Sequence, residues 1–332
     1  MARPTPLIAA ALVAVLASPT QAAEPTPVPP PQAWTMALTV DAGDPRRAVA
    51  EHFAQCVRDA SVGRLTLALE PAPEPRELAA AVLAGTPRLA TLRLTDVPTP
   101  DALFGLETIA YLAPDLAKAN KLWTAARLDL DRTLATRGYA FLFSAAAPPA
   151  GLFAAAAPTT RAELAKLRLA APTAAGAALL ATLGIEPAPL TSSADSVALA
   201  ALLRAGTIDG FAAEPTAEAA AAASTGMIFL DLDAMLPREV IVANRAAFES
   251  LPADAKTGLV ACGDQAIAEG TVAAEKADQA ARAALAARGI QQVRPSAPLV
   301  AELTAYGQTR LADWLAATGV TGKAILDSFR AM

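Results

Sequence analysis

Hydrolysis by a side-chain nucleophile needs a base beside it. This 332-residue chain holds one histidine for that duty, His52. It sits among Glu51, Phe53 and Cys56 on a stretch with helical spacing, so a partly exposed helix position is the expectation and not catalysis. No Gly-x-Ser-x-Gly elbow occurs, and no dinucleotide or P-loop glycine string. Asp231 and Asp233 could in principle share acid–base work, but they flank the end of an apolar run and read as solvated loop carboxylates. Cys56 and Cys262 are far apart in sequence and, with a lone histidine, supply no metal set. Buried thiols are the expectation for them, although an oxidising compartment would permit a disulfide. No metal, cofactor or catalytic residue is therefore expected. Arg168 is the more informative residue. In Lys166-Leu167-Arg168-Leu169-Ala170, strand alternation sets Leu167 and Leu169 on one face and Arg168 on the other. On spacing alone, a charge at a solvent-facing strand edge is the better reading. Turned inward, its planar fork would suit a carboxylate.

The elements that must position these residues belong to an exported chain. Arg3 precedes an apolar run, Leu7 to Ala17, and small residues lead to Thr20-Gln21-Ala22. The run is shorter than the ~20 residues that span a bilayer, and the small residues suit signal-peptide cleavage after Ala22, with Ala23 the near alternative. The expected order is a signal peptide over 1–22 and a Pro-rich linker over 23–33. No later segment reads as transmembrane, because charges interrupt each longer apolar run. The chain carries 27 basic and 32 acidic residues, a formal net charge of −5 that loses Arg3 on cleavage. An acidic chain without a basic patch argues against nucleic acid as a partner.

The body alternates strand and helix patterns. Trp34–Val40, Leu65–Leu69 and Leu89–Leu94 read as strands, with helices opening at Asp44-Pro45 and over Glu74–Leu83. This βαβαβ unit implies a parallel sheet with helices on its faces. A Pro-punctuated stretch from Val97 to Pro114 precedes a helix to about Arg132, then a strand over Tyr139–Ser144. Ala145–Pro158 has no clear pattern. A second α/β unit follows: a capping-box helix at Thr160, a strand over Lys166–Ala170, a helix over Ala174–Leu183, a helix capped by Ser192 to Asp195, and a strand over Ile208–Phe211. Met227–Leu230 and Glu239–Ala243 read as strands, Ala253–Arg288 as one long helix, and Pro298–Thr318 and Gly322–Arg330 as two terminal helices. The fold class expected is α/β, a two-lobed clamshell with long connecting helices. One lobe would take 34–145 plus about 234–273, the other 146–233 plus about 274–332 with the C-terminal helices. The cleft between lobes is the default ligand site.

Several strings, in order, resemble the periplasmic solute-binding subunit of TRAP transporters of the C4-dicarboxylate type. Ser61-Val62-Gly63-Arg64-Leu65 is similar to that family's exit from its first helix, and Leu83-Ala84-Gly85-Thr86 to its turn before the third strand. Leu164-Ala165-Lys166-Leu167-Arg168-Leu169 resembles "L-K-G-L-K-I-R-V", Leu183-Gly184-Ile185-Glu186-Pro187 resembles "L-G-A-x-P", and Ala201 to Gly210 resembles "A-L-Q-T-G-V-V-D-G". The resemblance spans about Trp34 to Arg294. It implies a monomeric receptor, not an enzyme, that closes on a small organic acid and docks on a separate TRAP-type membrane permease. It also moves Arg168 from solvent to the cleft, as the arginine that holds the ligand carboxylate. A ligand-sensing protein of the same fold, or a paralogue without a transport role, is the alternative.

The departures narrow the ligand. The family's "G-x-R-x-x-x-N" string is here Gly151-Leu152-Phe153-Ala154-Ala155, without arginine or asparagine, and "Q-E-N-P" is Phe211-Ala212-Ala213-Glu214-Pro215. Ala110-Tyr111-Leu112-Ala113 stands for "P-F-L-F", and Arg88 replaces the acidic residue after the turn. So few polar partners suit a monocarboxylate with an apolar body, touched by Phe153 or Phe211. Thr91 and Arg93 share one strand face and would supply secondary contacts.

Overall fold

The structure is a computed structural model and describes residues 30–39, 45–72, 75–98, 101–147, 149–190, 195–223, 226–236 and 238–332. The expected signal peptide, most of the linker, Asp44, Glu74 and Ser192–Ala194 lie outside the described residues.

Two five-stranded sheets form the frame. The first contains β1 (Gln32–Leu38), β2 (Leu65–Pro71), β3 (Leu89–Leu92), β4 (Tyr139–Ala146) and β9 (Arg238–Asn244), in the order β2-β1-β3-β9-β4. β1 runs parallel to β2 and β3, as the βαβαβ pattern requires, while β9 is antiparallel to β3 and β4. The sheet is thus mixed and not wholly parallel. α1 (Pro45–Ala60) and α2 (Pro75–Ala84) are its crossover helices, and α3 (Leu116–Thr136) precedes β4. Alternation puts Trp34, Met36 and Leu38 in one cluster with Phe53 and Val57 of α1, and Ala37 in the other with Leu122 and Leu130 of α3.

The second sheet contains β5 (Gly151–Ala154), β6 (Leu169–Ala170), β7 (Gly210–Ala213), β8 (Ile228–Leu230) and β10 (Gln291–Val293), in the order β10-β8-β5-β7-β6. Its helices α4 (Arg161–Leu164), α5 (Ala174–Leu183), α6 (Ser196–Arg204) and α7 (Ala217–Ala222) each begin on a side-chain cap, from Thr160, Thr173, Asp195 and Thr216. β6 is shorter than its pattern suggested: the backbone N–H groups of Lys166 and Leu167 close the turn after α4 by bonding Glu163 and Leu164.

Two long helices join the sheets. After the short α8 (Arg245–Glu249), α9 (Ala253–Ala287) runs 35 residues, about 52 Å at 1.5 Å per residue. Its Leu259, Cys262 and Ala266 pack under the first sheet, whereas Leu285 packs with Phe153 and Phe229 under the second. The mid-helix glycines are there for close approach. A Cβ at Gly263 would stand 3.2 Å from the Leu142 carbonyl oxygen, and one at Gly270 3.0 Å from the Ala145 Cβ. α10 (Ala297–Ala331) starts on the second sheet's cluster through Leu299 and Leu303 and ends in the first's through Leu311, Trp314 and Ile325. The two terminal helices expected from sequence are both present within this span: they meet at a kink at Gly319, whose φ of 59° and ψ of −132° lie outside the helical range. The first sheet's core takes residues from both sides of the kink, Leu311 and Trp314 before it and Ile325 and Leu326 after it.

The cysteines are not free thiols. Cys56 of α1 and Cys262 of α9 form a disulfide, their Cα atoms 5.8 Å apart, and no free cysteine remains. Helices α1 and α9 pack side by side on one face of the first sheet, which brings the two positions within bonding reach.

Candidate ligand-binding cleft

Sheet geometry decides where a site can form. The carboxyl ends of β3 and β7, from different sheets, face each other: Arg93 follows β3, Glu214 follows β7, and Arg93 Nη2 lies 3.7 Å from Glu214 Oε1. Both side chains are largely buried, at 13% and 16% exposure. Carboxyl ends of strands in open α/β sheets are where ligands bind. Glu214 is held by the Thr173 hydroxyl, which donates to Oε2 at 2.8 Å. Thr173 also caps α5, so the helix and the carboxylate are locked to one side chain. At 3.7 Å the Arg93–Glu214 pair is an ion pair without a hydrogen bond, and Arg93 Nη1 is buried with no partner. A buried guanidinium donor without a partner is costly, and this one lies where the two sheets meet.

Behind Arg93 lies a second charged group. Arg238 opens β9 and is 5% exposed. Its Nη1 donates to Asn120 Oδ1 at 2.8 Å, its Nε to Ser144 Oγ at 3.3 Å, and its guanidinium lies 5.3 Å from the centre of the Trp123 ring. Glu107 sits beside it, in the 3-10 turn Ala102–Thr108, with Oε1 buried and unbonded. A small cavity of about 20 Å³ adjoins both, walled otherwise by apolar side chains such as Leu103, Leu122 and Met235. Burial pushes the Glu107 carboxyl up to about 7, against the opposing pull of the Arg238 and Arg93 charges. A carboxyl raised in the folded state destabilises the fold as pH rises from its unfolded value through the folded one. The protein should lose about 3 kcal/mol between pH 4.5 and 7 from this group. Glu107→Gln should flatten that part of the profile. Urea unfolding of both proteins at pH 5 and pH 7.5 checks it, and parallel losses in the two would refute the assignment.

The candidate residues divide between this cleft and elsewhere. Thr91, in β3 opposite Ile241, shares the Arg93 side of the strand and is 6% exposed. Arg168 precedes β6, at the opposite end of that strand from Thr173. Its side chain is 55% exposed and donates through Nε and Nη2 to both carboxylate oxygens of Asp209, at 3.0 and 2.7 Å. That fork holds the Asp209 carboxyl below its usual range, mainly through the side-chain hydrogen bond. Phe153 and Phe211 stack across β5 and β7, ring centres 4.6 Å apart, with Phe229 at 5.0 Å from Phe153. Both are fully buried among Leu199, Ile208 and Leu285. His52 is an exposed α1 residue with Nδ1 3.0 Å from Glu269 Oε2. Asp231 is not a solvated carboxylate: it is buried and accepts from Arg282 Nη1 at 2.5 Å, while Asp233 pairs with Arg294. Among the described residues no group of histidine, cysteine and carboxylates could hold a metal, and no helix is long and apolar enough to cross a membrane. Glu214, Glu107 and Arg238 are additions to the sequence-based set.

Comparison with known proteins supplies the family. The model for DctP, bacterial extracellular solute-binding protein family 7, matches residues 36–315. None of the curated proteins matches. An extracytoplasmic solute receptor of Bordetella pertussis that binds pyroglutamic acid superposes with a TM-score of 0.78 at 24% identity, over 91% of this chain and 100% of that one. A second such receptor from the same organism gives 0.77 at 23%, over 90% and 99%. A galactonate-binding sugar acid protein of Advenella mimigardefordensis gives 0.75 at 15%, over 91% and 99%. The two mixed sheets with their long helices are thus the periplasmic binding protein fold, and the chain belongs to the DctP family of bacterial extracellular solute-binding proteins, non-enzymatic receptors for small solutes.

Proposed function

We propose that this protein is the periplasmic receptor of a TRAP-type transporter, cleaved near Ala22 on export, which captures a small monocarboxylic acid between its lobes and delivers it to a membrane permease. One observation carries the reading of the site: the buried, open Nη1 of Arg93 at the meeting of the two sheets. Arg168 already gives both arms of its fork to Asp209, which supports Arg93 over Arg168 as the partner of the ligand carboxylate. Glu214 would repel a second carboxylate beside the first, which favours monocarboxylates over dicarboxylates. The receptors of like fold bind pyroglutamic acid and galactonate, each a monocarboxylic acid.

The test is thermal unfolding of the chain from Ala23 against a panel of mono- and dicarboxylic acids. A ligand at a hundred times its dissociation constant adds about 2.7 kcal/mol, or several degrees at roughly 2–4 °C per kcal/mol. At least one monocarboxylic acid should shift the midpoint by that much, and succinate and malate should shift it less. No shift from any acid would overturn the receptor reading. Arg168→Ala should lower the unliganded midpoint slightly, through loss of the Asp209 contact, and leave the ligand-induced shift intact.

A further inference from the structure

We infer that the cleft selects acids bearing an N–H donor next to the carboxylate, and that Glu214 is the residue that reads it. This inference rests on the receptor reading above and names the ligand class of the same site. Arg93 supplies an open donor, Nη1. Opposite it, Glu214 presents an acceptor. Its Oε2 is taken by Thr173, while Oε1 faces Arg93 at 3.7 Å, outside hydrogen-bond range. The Arg93 guanidinium and the Glu214 carboxylate follow strands of different sheets, approach through Nη2 and Oε1, and are both mostly buried. A ligand with only a carboxylate would satisfy Arg93 and set its own charge against Glu214. A ligand whose α-carbon, next to the carboxylate, bears an amide or ammonium N–H meets both: carboxylate on Arg93, N–H on Glu214 Oε1. Binding would then replace a 3.7 Å ion pair between the two sheets with two hydrogen bonds through the ligand, so occupancy itself would hold the lobes together. A buried acceptor built for an N–H strongly rejects an analogue that lacks it.

The experiment compares pyroglutamate with its lactone analogue, 5-oxotetrahydrofuran-2-carboxylate, which has the same ring and carboxylate but a ring oxygen in place of N–H. Calorimetric titration of the wild type needs no substitution, so misfolding cannot confuse it. Pyroglutamate should bind at least about tenfold more tightly than the lactone. In Glu214→Met, which keeps the bulk and removes the acceptor, the two affinities should converge, with the lactone bound no worse than by the wild type. Equal affinities in the wild type, a preference that survives in Glu214→Met, or a panel acid without N–H that outbinds every N–H-bearing one would overturn the inference and leave the receptor reading in place. Failure of every acid to bind is the distinct result that removes both.

Discussion

Arg93→Ala should weaken binding of a carboxylate ligand about a hundredfold or more. The expectation follows from what is left behind. Truncating one partner of a buried, hydrogen-bonded charge pair costs about 2–5 kcal/mol, and about 2.7 kcal/mol is a factor of a hundred in dissociation constant. The alanine protein would also leave Glu214 buried at 16% exposure without its facing cation, so the ligand's negative charge would meet an unopposed carboxylate. Arg93→Lys separates charge from geometry. It restores a cation but not the planar fork, and should recover part of the loss. Calorimetric titration of the three proteins reads this directly. An affinity unchanged by Arg93→Ala would take the carboxylate away from this end of the cleft.

The second large effect concerns stability. Replacing both Cys56 and Cys262 by serine should cost about 3–5 kcal/mol and lower the midpoint of thermal unfolding by about 10 °C. The bond closes a loop of 206 residues, so it restricts the unfolded chain strongly. In the folded protein it pins the first half of α9 to α1, both packed on one face of the first sheet. The second half of α9 reaches the other sheet's core through Leu285. Reduction should therefore act on the first lobe, and the wild type in reductant should match the double serine variant. A midpoint indifferent to both treatments would contradict this.

Much of the fold was legible because helix starts and strand patterns are local. Thr160 and Asp195 cap as their side chains suggest, and β1 pairs in parallel with β2 and β3 as βαβαβ demands. The gaps have physical causes. β5 lies in an alanine-rich stretch and is buried along its whole length, so it shows no alternation. β10 is a short strand at the sheet edge, with both glutamines exposed. The disulfide depends on α1 and α9 lying side by side, 206 residues apart in sequence.

The proposed site is legible in part. Strand alternation puts Thr91 and Arg93 on one face of their strand. Glu214 was visible as a polar residue ending a buried run before Pro215, yet nothing local says that it faces Arg93 from the other sheet. Strand spacing alone reads Arg168 as a charge at a solvent-facing edge, and its side chain is 55% exposed. Its partner, Asp209, is 41 positions on, and only the pairing of β6 with β7 brings them together. Arg238 and Glu107 join through the same kind of long-range contact, across a 3-10 turn that has no sequence period.

The most direct test of the proposed site is a calorimetric titration of the acid that shifts the wild type most, against Arg93→Ala and Arg168→Ala side by side. Arg168→Ala should bind within about twofold of the wild type, while Arg93→Ala should lose at least about a hundredfold. Loss of binding in Arg168→Ala with full binding in Arg93→Ala would contradict it, and would move the ligand from the meeting of β3 and β7 to the far end of β6.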